Sequence, residues 1–144
     1  MITIDDNSPH RMRQQKALDF YHACRNVMQA DRTARLTEAR VVQKALEMEA
    51  PRYYVTDEYA QKVVHRMLKG RMEISAYGPK ADQWREIMQK VRHVRSTLGV
   101  RTEEAVWRVL ESKASSYFVS PEQAYRLYLR GKNLMRNNNR KEAI

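Results

Sequence analysis

The chain has 144 residues, with 27 Lys and Arg against 17 Asp and Glu, a net charge of +10 and a pI near 9.9. That length builds one domain or two small ones packed together, and the single cysteine, Cys24, excludes an internal disulfide. The cationic excess favours a polyanion as partner: nucleic acid, an anionic membrane surface or an acidic protein.

The N-terminal MITIDDNSPHRMRQQ is polar, carries Asp5 and Asp6, and does not read as a secretory signal. No apolar run approaches the roughly 18–20 residues of a membrane span. No membrane partner and a cytoplasmic, reducing location are the expectations. Residues 1–11 read as a mobile lead-in, closed by Ser8-Pro9.

Helical spacing begins at about residue 12. Ala17, Phe20, Tyr21, Cys24, Val27 and Met28 recur at intervals of three and four and form one apolar stripe. This predicts a first helix over about 12–31. A polar connection follows, and Thr37 is placed to cap a second helix over about 38–49, with Glu38 in the first turn, where the helix dipole favours an anion. Val41, Val42, Ala45 and Leu46 form its buried face, and Ala50-Pro51 ends it, because a residue before proline is pushed out of the helical region. Thr56 caps a third helix over about 57–69, with Ala60, Val63, Val64, Met67 and Leu68 inward and Gly70 at its end.

Residues 71–81 form a linker containing the turn dipeptide Gly78-Pro79. The cycle then restarts. Trp84, Ile87, Met88 and Val91 carry a fourth helix over about 82–97, Thr102 is placed to cap a fifth, and Ser120-Pro121-Glu122-Gln123 is a strong start for a sixth, ending near Arg130 and Gly131. Residues 132–144 are basic and Asn-rich, and read as a flexible tail.

The restart is a repetition. Val42 to Ala60 and Val106 to Ala124 align at an offset of 64 positions, with Val42, Leu46, Glu47, Ala50, Tyr53, Val55, Glu58 and Ala60 identical in the second stretch. Trp84, Met88 and Val91 stand opposite Phe20, Cys24 and Val27. The fold class expected is therefore all-α, a tandem duplication of a three-helix unit, with one copy over 12–70 and the other over 82–131. The paired aromatics Tyr53-Tyr54 and Tyr117-Phe118 are read as plugs at matching corners.

No residue set identifies a reaction. His10, His22, His65 and His93 are scattered, without metal-ligand spacing. Cys24 lies on an apolar stripe opposite Met88, as a small buried hydrophobe would. Asp57, Glu58, Glu103 and Glu104 sit in first turns, where helix dipoles account for them. There is no Gly-rich phosphate loop, GxSxG or HExxH. The expectation is a protein that is not an enzyme and uses no cofactor or metal.

The basic residues carry the functional signal. Lys62, Arg66 and Lys69 recur at helical spacing opposite the third helix's apolar stripe, and Arg126 and Arg130 fall 64 positions after Lys62 and Arg66. Cations so spaced reach successive phosphates, and arginine also reads guanine edges. Arg52 at the corner and Arg136, Arg140 and Lys141 in the tail would add phosphate contacts. Three helices with a charged last helix resemble a helix-turn-helix unit, with the second helix supporting the third. The connection from Glu49 to Val55 is longer than that motif's usual turn and lacks its glycine. The resemblance implies double-stranded DNA as partner, in a transcription regulator or mobile-element protein. The alternative is a helical adaptor, or a homodimer, that uses exposed aromatic corners between the copies.

Overall fold

Ser8 opens the first helix about three residues before the expected start, inside the stretch read as a mobile lead-in: its side chain accepts a hydrogen bond from the Arg11 amide at 3.2 Å, and Pro9 takes the first helical position, where a missing N–H costs nothing. From there the computed structural model, which describes residues 8–31, 35–70 and 78–142 (side chains through 139), is all-helical among those residues. The helices are α1 (Pro9–Ala30), α2 (Glu38–Leu46), α3 (Asp57–Leu68), α4 (Pro79–Leu98), α5 (Thr102–Leu110) and α6 (Pro121–Glu142). Residues 1–7 of the expected lead-in and 71–77 of the expected linker lie outside the described residues.

Several caps match the reading. Thr37 accepts from the Arg40 amide at 3.2 Å, and Thr56 from the Tyr59 amide at 3.3 Å. Ser120 and Gln123 form a reciprocal pair at 3.2 and 3.1 Å, a complete capping box.

Four further boundaries differ, each for a physical reason. The second helix stops at Leu46 rather than near residue 49, because Ala50 leaves it to pair with Ala114: each amide donates to the other's carbonyl at 2.9 Å. Proline at a first helical position opens α4 at Pro79, three residues early, so Gly78-Pro79 starts a helix instead of marking a turn in the linker. Thr102 is the first residue of α5 and makes no side-chain cap bond; Arg101 holds the cap position.

The fourth difference is the largest. The sixth helix runs straight through Gly131 to Glu142, over the stretch read as a flexible tail. Gly131 is buried against α1, where an added Cβ would fall on the carbonyl of Ala17 and within 2.6 Å of the Tyr21 Cβ. It is a close-approach glycine inside a helix rather than a helix terminator. Gly70, at φ +67° and with open space around it, does play the terminator's part after α3.

The packing crosses between the two halves of the sequence. Helices α1, α2 and α6 pack on one another, while α3 packs on α5, which packs on α4. Each three-helix group therefore takes its third helix from the other half. This corrects the expected support of each third helix by the second helix just before it: α2 and α3 are not principal partners. A single hydrophobic cluster joins the halves and includes Phe20, Cys24, Val41, Tyr53, Val64, Ile87, Val91, Val106, Tyr117 and Tyr128.

Candidate nucleic-acid interface

The amphipathic pattern of α3 buries Ala60, Val63 and Val64, which leaves Lys62, Arg66 and Lys69 exposed. The same pattern in α6 buries Ala124 and Tyr128 and leaves Arg126, Arg130 and Arg136 exposed. Lys62 lies 3.6 Å from Glu58 one turn back, an exposed pair of small energetic weight. Neighbouring Tyr59, Tyr125 and Leu129 are also exposed, so both faces mix cations with apolar surface. Arg52 is half-buried and donates from Nε to the Tyr53 carbonyl at 3.2 Å, which ties its head to the corner. The side chains of Arg140 and Lys141 lie outside the described ones; their backbone belongs to α6.

Interhelix polar contacts hold these faces in place. Gln61 Nε2 donates to the Glu103 carbonyl at 2.9 Å, and His65 Nε2 stands 3.2 Å from Glu103 Oε1, joining α3 to α5. His65 and a carboxylate thus meet, with side chains 37% and 63% exposed, so that among the described residues the pair stands open to water. Glu38 plays the corresponding part for α6: it accepts from Tyr128 Oη at 3.4 Å and lies 3.5 Å from Lys132 Nζ.

The corner aromatics are neither exposed nor confined to their own corners. Tyr53 stacks on Phe118 (centroids 6.3 Å apart, 15° between planes) and Tyr54 on Tyr117 (6.1 Å, 12°). Tyr53 and Tyr117 are buried, at 1% and 3% exposure, so they cannot serve the adaptor surface proposed for them. Tyr53 Oη donates to Glu86 Oε2 and Tyr54 Oη to Asp19 Oδ2, both at 2.5 Å. Burial and these carboxylate acceptors push both phenols well above the ordinary range. For Glu86, burial alone would raise the carboxyl, but hydrogen bonds from Ser115 and Tyr53 outweigh it and hold the group below its usual value. Cys24 is fully buried, which pushes its thiol up to about 12 and leaves it unreactive.

A cleft of about 880 Å³ opens beside these stacks. Its walls are Tyr54, Tyr59, Trp84 and Phe118, Met12 and Val119 are apolar lining, and Arg13, Lys16 and Lys80 supply its charge. No carboxylate is among the lining residues that the structure describes. Lys16 lies 5.8 Å from the Tyr54 ring centre and is half-buried; burial first, and repulsion from Lys80 second, lower its pKa to about 8. Sequence reasoning missed this group, although its signal was present: Lys16 and Lys80 stand 64 positions apart, as do Tyr54 and Phe118, and Val55 and Val119.

Comparison with known protein families, characterised proteins and solved structures gives no match. Among the described residues, no helix is long and apolar enough to cross a membrane.

Proposed function

We propose that this chain is a non-enzymatic protein that binds double-stranded DNA through the basic faces of α3 and α6. The observation that carries the reading is the recurrence of Lys62 and Arg66 as Arg126 and Arg130, all four exposed, on helices of corresponding position. Cations one helical turn apart follow a phosphate backbone, and the net charge of +10 adds long-range attraction. Lys69 and Arg136 extend the two faces; Arg52, Arg140 and Lys141 are flanking phosphate contacts in the same proposal. A cytoplasmic regulator of transcription, or a mobile-element protein, is the role this chemistry suits.

The reading includes a tandem duplication in which the copies have exchanged third helices. In support, Ala50 bonds Ala114 across an offset of 64, and the stacks Tyr53–Phe118 and Tyr54–Tyr117 are images of one another under that offset. Exchange gives each third helix a supporting second helix after all, α5 for α3 and α2 for α6. The helix-turn-helix geometry would then be assembled between copies rather than within them. The long connections from Glu49 to Val55 and from Lys113 to Val119 are what such a crossing needs.

The test is fluorescence anisotropy with random-sequence duplex DNA, comparing the native chain with the Arg66→Glu/Arg130→Glu variant. The variant should lose about a hundredfold in affinity at low salt while keeping its helicity. Equal affinity would reject this surface.

A further inference from the structure

The cleft between the halves gathers cations and aromatic rings that the basic outer faces do not explain. We propose that it binds a nucleoside phosphate, with the base against Trp84, Tyr59 and Phe118 and the phosphate on Lys16, Lys80 and Arg13. This goes beyond duplex binding, since none of the cleft's cations belongs to the faces of α3 and α6.

Three cations from two helices converge on one cavity; among the described residues its lining has no carboxylate, and none of the three cations forms an ion pair. Proteins place a half-buried lysine beside a second lysine at a cost, because each charged form disfavours the other. A lowered Lys16 is the mark of that cost, and an anion between the two ammonium groups removes it. The backbone adds to the attraction. The 20-residue helix α4 starts in this cleft at Gly78-Pro79-Lys80, and no side chain caps it. The amides of its first turn and its dipole therefore favour negative charge at the same end.

The walls specify the rest of the ligand. Tyr59 and Trp84 meet edge to face, with centroids 6.0 Å apart, and Tyr59 is 55% exposed, so flat apolar surface is left open to a stacking partner. Phe118 is held at φ +51°, a left-handed conformation costly for an aromatic residue, and it forms part of this wall. A flat ring joined to an anion satisfies both ends of the cavity. Inorganic phosphate would leave the rings unused, and a neutral aromatic would leave the lysines opposed. A cleft of about 880 Å³ admits a mononucleotide with room for the strand on either side. The ligand is therefore either a free nucleotide or an unpaired nucleotide of a strand.

Trp84 is a built-in reporter once the other tryptophan, Trp107, is replaced. The full chain carrying Trp107→Phe is titrated with adenosine monophosphate, adenosine, inorganic phosphate and a short single-stranded oligonucleotide, following Trp84 fluorescence. The expected result is saturable quenching by the nucleotide, with adenosine and phosphate each weaker by about tenfold or more. Lys16→Met with Lys80→Met should weaken the nucleotide by a similar factor, whereas Arg66→Glu/Arg130→Glu should leave it unchanged. Equal affinity for nucleotide and oligonucleotide assigns the site to the free nucleotide; an oligonucleotide about tenfold tighter assigns it to a strand. Two outcomes overturn the proposal: no saturable change with nucleotide or oligonucleotide, or adenosine binding as well as its monophosphate. The second needs no variant, so it stands even if the lysine double variant fails to fold.

Discussion

The outer faces of α3 and α6 and the cleft between the halves use the same residue types under opposite conditions. Lys62, Arg66, Arg126 and Arg130 stand in solvent, where a cation costs the fold little and where even the Lys62–Glu58 pair is weak enough to give way to a partner. Lys16 sits half-buried beside Lys80, where its charge costs the fold until something anionic arrives. The contrast separates surface cations, whose loss should change binding alone, from inner ones, whose loss should change stability as well. Each substitution below sharpens or breaks that division.

The largest effect lies on the inner side. Gly131→Ala should destabilise the fold by about 3 kcal/mol, since its Cβ would collide with the backbone of α1 and push α6 away. Helix propensity predicts the opposite sign, a gain of about 1 kcal/mol. Urea denaturation decides between them, and a stabilised variant would mean that α6 is not seated on α1 in this way.

Lys16→Met comes next and should stabilise the chain by about 1–2 kcal/mol at pH 7. The folded-state pKa of about 8 lies below the unfolded value of 10.5, so the penalty of the charged form is fully present below pH 8. It fades as pH rises from 8 to 10.5. The stability difference between native and variant chains should therefore close over that window. A difference that stays constant across it would show that Lys16 carries no such penalty.

Tyr53→Phe should cost about 1 kcal/mol, by removing the hydrogen bond to Glu86. The Glu86 carboxyl is held below 4.5 when folded, so its contribution is present above that pH and lost as pH falls through the folded value. The variant should show a shallower acid transition. An unchanged acid limb would remove Glu86 from the seam's stabilising contacts.

The helices were legible because each buries one stripe, and the period of that stripe survives in the sequence. The capping residues Thr37, Thr56 and Ser120 were legible for a local reason: each accepts from an amide three residues on. Helix partners were not legible, because the apolar stripe of α3 is equally satisfied by α2 or by α5. Gly131 was misread for the same reason. A glycine looks alike whether it ends a helix or lets a second backbone approach, and only the position of Ala17 distinguishes the two. The basic faces could be read from the turn-by-turn spacing of Lys62 and Arg66. The cleft could not, because its residues come from four separate stretches of chain. Its sequence traces, the matches of Lys16 with Lys80, Tyr54 with Phe118 and Val55 with Val119, become informative only once the halves are known to meet.

The central claim is that the exposed cations of α3 and α6 bind duplex DNA, and a salt series tests it most directly. Anisotropy with random duplex should give micromolar binding at low salt, falling on a log–log plot with a slope of about −0.9 per phosphate neutralised. Arg66→Glu/Arg130→Glu should flatten that slope by at least about two contacts. An absence of binding at low salt, or a slope that the variant leaves untouched, would contradict the account.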